Sequence, residues 1–212
     1  MIIVGLTGGI ASGKSFVVKY LKTLKFPVHE SDSVVANLYN SCDKNFINFL
    51  FKNGFKNSLL QNKIDKKIIR EEIFNKKEKK IILEKYLHNE IKKKRNIFLQ
   101  NNKEKEIVFL DIPLLFENKL ENKCDIICST IAPVHIREKR ALQRQGMKKK
   151  IFKQIVYNQV KDKERKEKSN YLINTTFTKK KTCLQVDSII YDVLNKKNER
   201  GSSRYRNNWL KL

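Results

Sequence analysis

Unbroken apolar runs alternate along the chain with segments whose apolar residues recur every three or four positions. The run at residues 2–6, ending in Thr7-Gly8-Gly9, predicts a fully buried parallel strand that stops at a loop. Over residues 14–25, Phe16, Val17, Val18, Leu21 and Leu24 fall at helical spacing, and Pro27 blocks continuation. Val28 and His29 predict a short second strand, followed by a helix from Asp32 that carries Val34, Val35, Leu38 and Tyr39. Residues 42–102 show little strand signal and repeated helical patterns at Phe46/Phe49/Leu50, Ile68/Ile69/Ile73 and Ile81/Leu83/Leu87/Ile91, as a helical insertion would. Strand character returns at Ile107, Val108, Phe109 and Leu110, ending in Asp111, and again at residues 125–129. Charged helices are expected at 134–144 and 151–166, a last strand at 171–173 and a final helix at 184–194. This alternation predicts an α/β fold with a parallel sheet. The tail, 197–212, is polar and basic apart from Trp209 and Leu210, so fraying or weak docking is expected there.

The composition fits that picture. With 212 residues, 40% hydrophobic and 32% charged, the chain is compositionally globular and suits one domain with an insertion. No apolar run approaches the about 20 residues of a membrane helix, and residues 2–6 are too short for a signal peptide, so a cytosolic protein is expected. Cys42, Cys124, Cys128 and Cys183 lack zinc-ligand spacing and are expected to be reduced and mostly buried. His29, His88 and His135 are scattered, which argues against metal ligation by histidine.

The net charge of +24 raises nucleic acid, membrane headgroups and phosphorylated metabolites as partners. The lysine runs are interleaved with Asn and Ile, the pattern of a general composition bias with solvated helix faces rather than of a nucleic-acid site.

The chemistry is concentrated at the first strand's end, where GGIASGKS (residues 8–15) satisfies G-x-x-x-x-G-K-S/T. Glycines there let successive backbone N–H groups turn inward on phosphates, and the following helix presents its positive end to the same anion. Lys14 is expected to reach the β- and γ-phosphates of ATP, and the Ser15 hydroxyl to ligate Mg²⁺. Asp32, just past the second strand, is placed either to orient and deprotonate an attacking hydroxyl or to cap a helix, and spacing leaves both open. Asp111 ends a buried strand, where a carboxylate either holds Mg²⁺ or serves as a strand-end hydrogen-bond acceptor. Arg137, Arg140 and Arg144 share one helix face, as arginines closing over ATP or a merely solvated helix would.

Several segments together resemble the dephospho-CoA kinase family. VGLTGGIASGKS (4–15) resembles that family's LTGGIxSGKS, VHESDSVV (28–35) its VIDADxIA with Asp32 at the second aspartate, and DIPLLFE (111–117) its PLLFE element. RALQR (140–144) resembles its RLxxR, followed by Gln159 where a glutamine is expected, and the match runs in order over about residues 1–175. Departures are Glu30, Ala36, Arg137, His88-Asn89, Ser169-Asn170 and the missing glycine after Asn174-Thr175.

The resemblance implies a P-loop kinase-type three-layer fold around a central parallel sheet. The nucleotide-binding core would span about 1–32, 103–139 and 170–196, the helical substrate-binding insertion 33–102, and the lid 140–169. It implies ATP-dependent phosphorylation of the ribose 3′-hydroxyl of dephospho-CoA by a monomer or weak homo-oligomer. The implied nucleotide-binding residues are Gly8, Gly9, Ala11, Ser12, Gly13, Lys14, Ser15, Phe16, Arg140 and Arg144. Asp32, Lys14 and Arg140 would be catalytic, with Ser15 and Asp111 as metal ligands. Two rivals stand beside this reading. A nucleoside monophosphate kinase or other small-molecule P-loop kinase is opposed by PLLFE and the placement of Asp32. A nucleic-acid-associated ATPase is opposed by the lack of RNA-binding aromatic patterns.

Overall fold

In the computed structural model, residues 1–41, 43–60 and 63–199 are described; Cys42 and residues 200–212, with Trp209 and Leu210, lie outside them. Contacts divide the chain into two units, one of residues 1–29 with the chain from Asn102 onward, the other Glu30–Asn101.

The first unit is organised by β1 (Ile2–Gly8), whose neighbours on both sides are parallel to it. With β2 (Val28–Glu30), β5 (Ile107–Asp111), β6 (Ile126–Ile131) and β7 (Tyr171–Asn174) it forms a five-stranded sheet in the order β2-β5-β1-β6-β7. All five residues of β5 are buried, which is why its sequence is an unbroken apolar run rather than an alternating one. On one face, Val4, Leu6, Phe109 and Cys128 pack against Val17 and Leu21 of α1 (Lys14–Thr23) and Val186 and Val193 of α9 (Lys179–Glu199). The register sets Leu6 opposite Asp111 and Gly8 opposite Thr130, so the loop leaving β1 starts beside the carboxyl ends of both neighbouring strands. Between β6 and β7 run α6 (Val134–Leu142), α7 (Lys149–Asn158) and α8 (Asp162–Lys168).

Two expectations are corrected here. The single helix expected at 151–166 is two helices, because Gln159 and Lys161 adopt extended backbone conformations between them. That break is fastened from outside: Ile10 N–H donates to Gln159 Oε1 (2.9 Å) and Val160 N–H to Glu117 Oε1 (2.9 Å). Of the three described cysteines only Cys128 is buried; Cys124 and Cys183 are half-buried thiols outside any disulfide.

The second unit contains α2 (Ser31–Asn40), α3 (Lys44–Lys52), α4 (Lys66–Asn75) and α5 (Lys77–Asn101). Asp43 and Asp65 cap α3 and α4, accepting hydrogen bonds from Phe46 N–H (2.9 Å) and Lys67 N–H (2.7 Å). Phe46, Leu50 and Phe55 are wholly buried, and Phe49 stacks on Tyr86 with ring centroids 4.1 Å apart. An antiparallel pair, β3 (Leu59–Leu60) and β4 (Lys63–Ile64), escaped the sequence reading because two-residue strands carry no alternation to detect. Among the described residues no helix is long and apolar enough to cross a membrane.

Candidate active site

The loop from Gly8 to the start of α1 closes on Gly13, which holds φ 92°, ψ 8° at the helix N-cap. An L side chain strains at that φ, and a Cβ there would come within 2.8 Å of Thr175 Oγ1, so glycine is required twice over. Ala11 is also left-handed, at φ 56°, and Ser12 N–H turns back to Gly9 O (3.1 Å). Left-handed residues at Ala11 and Gly13, either side of Ser12, turn the loop backbone so that its N–H groups can converge, and among the described residues no side chain caps the α1 N-terminus that follows. The segment is therefore an anion cradle built from main chain. Ser15 is exposed in the first turn of α1 and Phe16 is half-buried beside it, with Lys179 Nζ 6.0 Å from its ring.

Three sets of side chains brace the cradle. Lys14 forms an ion pair with Asp111 at the end of β5, in side chains only 15% and 9% exposed. Ser12 Oγ and Thr130 Oγ1 are 2.7 Å apart, and Thr130 Oγ1 donates to Thr7 O (3.2 Å). Thr175 Oγ1 donates to Ser12 O (2.6 Å), while Arg140 donates through Nη2 to Thr175 O (2.6 Å) and through Nη1 to Thr175 Oγ1 (3.0 Å). Beyond these, a further group couples Glu117 to the α7–α8 break. Arg165 Nη2 donates to Glu117 Oε1 (3.1 Å), and Arg137 Nη2 to Asp162 Oδ2 (2.6 Å).

The three arginines predicted on one face thus behave differently. Arg140 is engaged with Thr175, and Arg144 is exposed beyond the end of α6. Arg137 is only 2% exposed. Burial lowers its pKa from the ordinary arginine value; Asp162 opposes that and Arg165 adds to it. The solvated-face reading therefore fails for Arg137. Sequence reasoning also missed Thr130 and Thr175, whose one signal was position at a strand end, where hydroxyls are commonplace, and Asp162 and Arg165, which lie on α8 among other charged residues.

Asp32 lies in the second unit, exposed in the first turn of α2. The N-cap of that helix is Glu30 and no side chain makes a capping bond, so the capping explanation for Asp32 does not hold. Among the described residues no group of three His, Cys, Asp or Glu side chains is placed to hold a metal ion.

This geometry is a phosphate-binding loop on a parallel sheet, and comparison with known proteins decides the family. A family model described as dephospho-CoA kinase matches residues 2–180. The chain belongs to the dephospho-CoA kinase family. A dephospho-CoA kinase from Ehrlichia chaffeensis is 34% identical over 201 residues, covering 91% of this chain and 96% of that one. A solved dephospho-CoA kinase from Campylobacter jejuni shares 27% identity at a TM-score of 0.67 over 92% of this chain and 98% of its own. The crystal structure of TT1252 from Thermus thermophilus, 23% identical, shares the fold at a TM-score of 0.74, covering 91% of this chain and 97% of that one. The P-loop kinase-type architecture expected from the sequence is thus borne out for this dephospho-CoA kinase family member.

Proposed function

We propose that the chain transfers the γ-phosphoryl group of ATP to the ribose 3′-hydroxyl of dephospho-CoA, giving coenzyme A and ADP. The observation that carries this reading is the left-handed Gly13 turn with Lys14 behind it, inside a chain that matches the family over residues 2–180.

In the reaction, the hydroxyl oxygen attacks the γ-phosphorus, the bond from that phosphorus to the β,γ-bridging oxygen breaks, and ADP departs. Asp32 takes the hydroxyl proton, and its exposure leaves the carboxylate available to an acceptor. Lys14 exchanges its Asp111 partner for the β- and γ-phosphate oxygens, with Gly8, Gly9, Ala11, Ser12 and Gly13 supplying main-chain contacts. Phe16, Arg140 and Arg144 complete the nucleotide site. These groups act by position and electrostatics, since phosphoryl transfer leaves little covalent work to the protein.

The donor set also fits Mg²⁺, which takes few protein oxygens and keeps phosphate and water as its other ligands. The Ser15 hydroxyl and the Asp111 carboxylate would hold it, so a three-carboxylate cluster is not needed. When bound, the ion neutralises charge on the transferring group.

An acceptor panel tests the reading. With ATP and magnesium, phosphorylation of dephospho-CoA and not of AMP or CMP is expected; phosphorylation of the monophosphates alone would overturn it.

A further inference from the structure

Glu117, Arg137, Asp162 and Arg165 form a charge cluster, with both arginines buried and the Asp162 side chain 40% exposed, that no step of the proposed transfer uses. Arg137 and Arg165 are each 2% exposed. Two guanidinium groups face two carboxylates: Arg165 reaches Glu117 at 3.1 Å and Asp162 at 3.5 Å, and Arg137 reaches Asp162 at 2.6 Å. The cluster also touches the phosphate loop. A Cβ on Gly9 would lie 2.2 Å from Arg137 Nη1 and 3.2 Å from Arg165 Nη1, so both arginines abut the loop backbone at that residue. A second route runs through the chain, since Glu117 Oε1 accepts Val160 N–H and the preceding Gln159 accepts Ile10 N–H, each at 2.9 Å.

As a stabiliser the cluster is poorly designed. Arg137 Nε, Arg165 Nε and Glu117 Oε2 are buried without a hydrogen-bond partner among the described residues. A pair as withdrawn from solvent as Arg165 and Glu117, left partly unsatisfied, is matched or bettered in stability by apolar side chains of similar volume. What apolar residues would not do is hold one backbone segment at a fixed hydrogen-bonding register.

We propose that Glu117 and Arg165 are positioning residues that set the Gly9–Ile10 backbone for the nucleotide's polyphosphate, acting through Arg137 at Gly9 and through Gln159 at Ile10. The inference rests on the loop being the ATP site. Main-chain amides contact the phosphates before and during transfer, so a displaced loop loses ground-state and transition-state binding together. The signature is a higher KM for ATP at nearly constant kcat.

The test uses the full chain, with Mg·ATP binding and dephospho-CoA turnover measured for Glu117→Gln, Gln159→Ala and the double variant Glu117→Gln/Arg165→Met. Glu117→Gln should raise the KM for ATP about tenfold and Gln159→Ala about threefold, with the acceptor KM unchanged. The double variant, which removes both charges, should regain thermal stability over Glu117→Gln while keeping its raised ATP KM. A folded Glu117→Gln enzyme with normal ATP KM, or an ATP KM restored along with stability, overturns the proposal. If Glu117→Gln does not fold, Gln159→Ala decides alone, and a normal ATP KM there sinks it. Wild-type protein that fails to saturate with Mg·ATP would instead sink the reading of the loop as an ATP site.

Discussion

Lys14 and Asp111 form an ion pair at the mouth of the phosphate loop, in side chains only 15% and 9% exposed. The pairing follows from register: Asp111 lies opposite Leu6, two residues before β1 ends in the loop that carries Lys14. Asp111 thereby holds the Lys14 ammonium at the carboxyl end of β5. Lys14→Ala is expected to lower kcat/KM by about 10²–10³-fold, the range for losing one preorganised electrostatic contact. Steady-state assays with ATP and dephospho-CoA check it, and wild-type activity in the variant would remove Lys14 from the chemistry.

Asp32 invites a different separation. It is exposed, and it makes no capping bond to the helix whose first turn it occupies. Asp32→Asn should therefore leave the thermal transition within about 1 °C of wild type, since surface substitutions away from special features cost little. As the proposed base it should lower kcat by about 10²–10⁴-fold at an unchanged ATP KM. A variant that keeps its kcat excludes proton transfer to Asp32.

These roles differ in how much of them the sequence carried. The phosphate loop was legible because a left-handed turn before a helix admits few residues besides glycine, and the motif records that demand at Gly13. The central strands were legible because burial on both faces leaves Ile107, Val108, Phe109 and Leu110 with no polar interruption. The break between α7 and α8 was not, because no proline or glycine marks Gln159-Val160-Lys161; it is held by Ile10 and Glu117, 149 and 43 residues distant from their partners there. Arg137 misled for the same reason. Its spacing is that of an exposed helix face, and the groups it meets, Gly9 of the loop and Asp162, lie far from it in the chain.

Thr175 joins two parts of the proposed nucleotide site. Its hydroxyl donates to Ser12 O at 2.6 Å and accepts from Arg140 Nη1 at 3.0 Å. Thr175→Val keeps the shape and removes both bonds, stranding the Ser12 carbonyl against a methyl group. A loss of about 1–3 kcal/mol in unfolding free energy is expected from the unmade bonds. The ATP KM should rise as well, because Ser12 lies within the loop. Urea unfolding followed by tryptophan-independent circular dichroism gives the first quantity and steady-state kinetics the second. Unchanged values of both would show that the Thr175 hydroxyl does not brace the loop.

At alkaline pH two groups should act in the same direction. Burial pushes the Cys128 thiol from 9.0 up to about 12, with Cys124 adding to the shift. Tyr20 is pushed from 10.0 to about 12, chiefly because its hydroxyl donates to the Asp187 carboxylate. In both cases the folded chain holds its proton more tightly than the unfolded chain. The stabilisation is therefore complete below the unfolded pKa values of 9.0 and 10.0 and is lost as pH rises toward about 12. Cys128 contributes most of this, since Tyr20 is solvent-accessible enough for screening to weaken its share. Melting temperatures recorded from pH 8 to 11 should fall in that window, and the fall should be smaller in Cys128→Ala measured against its own value at pH 8. Thiol reagents at pH 8 should modify Cys124 and Cys183 in the native protein and spare Cys128 until denaturant is added. Rapid native labelling of Cys128 would show that the sheet opens around it far more readily than its complete burial implies.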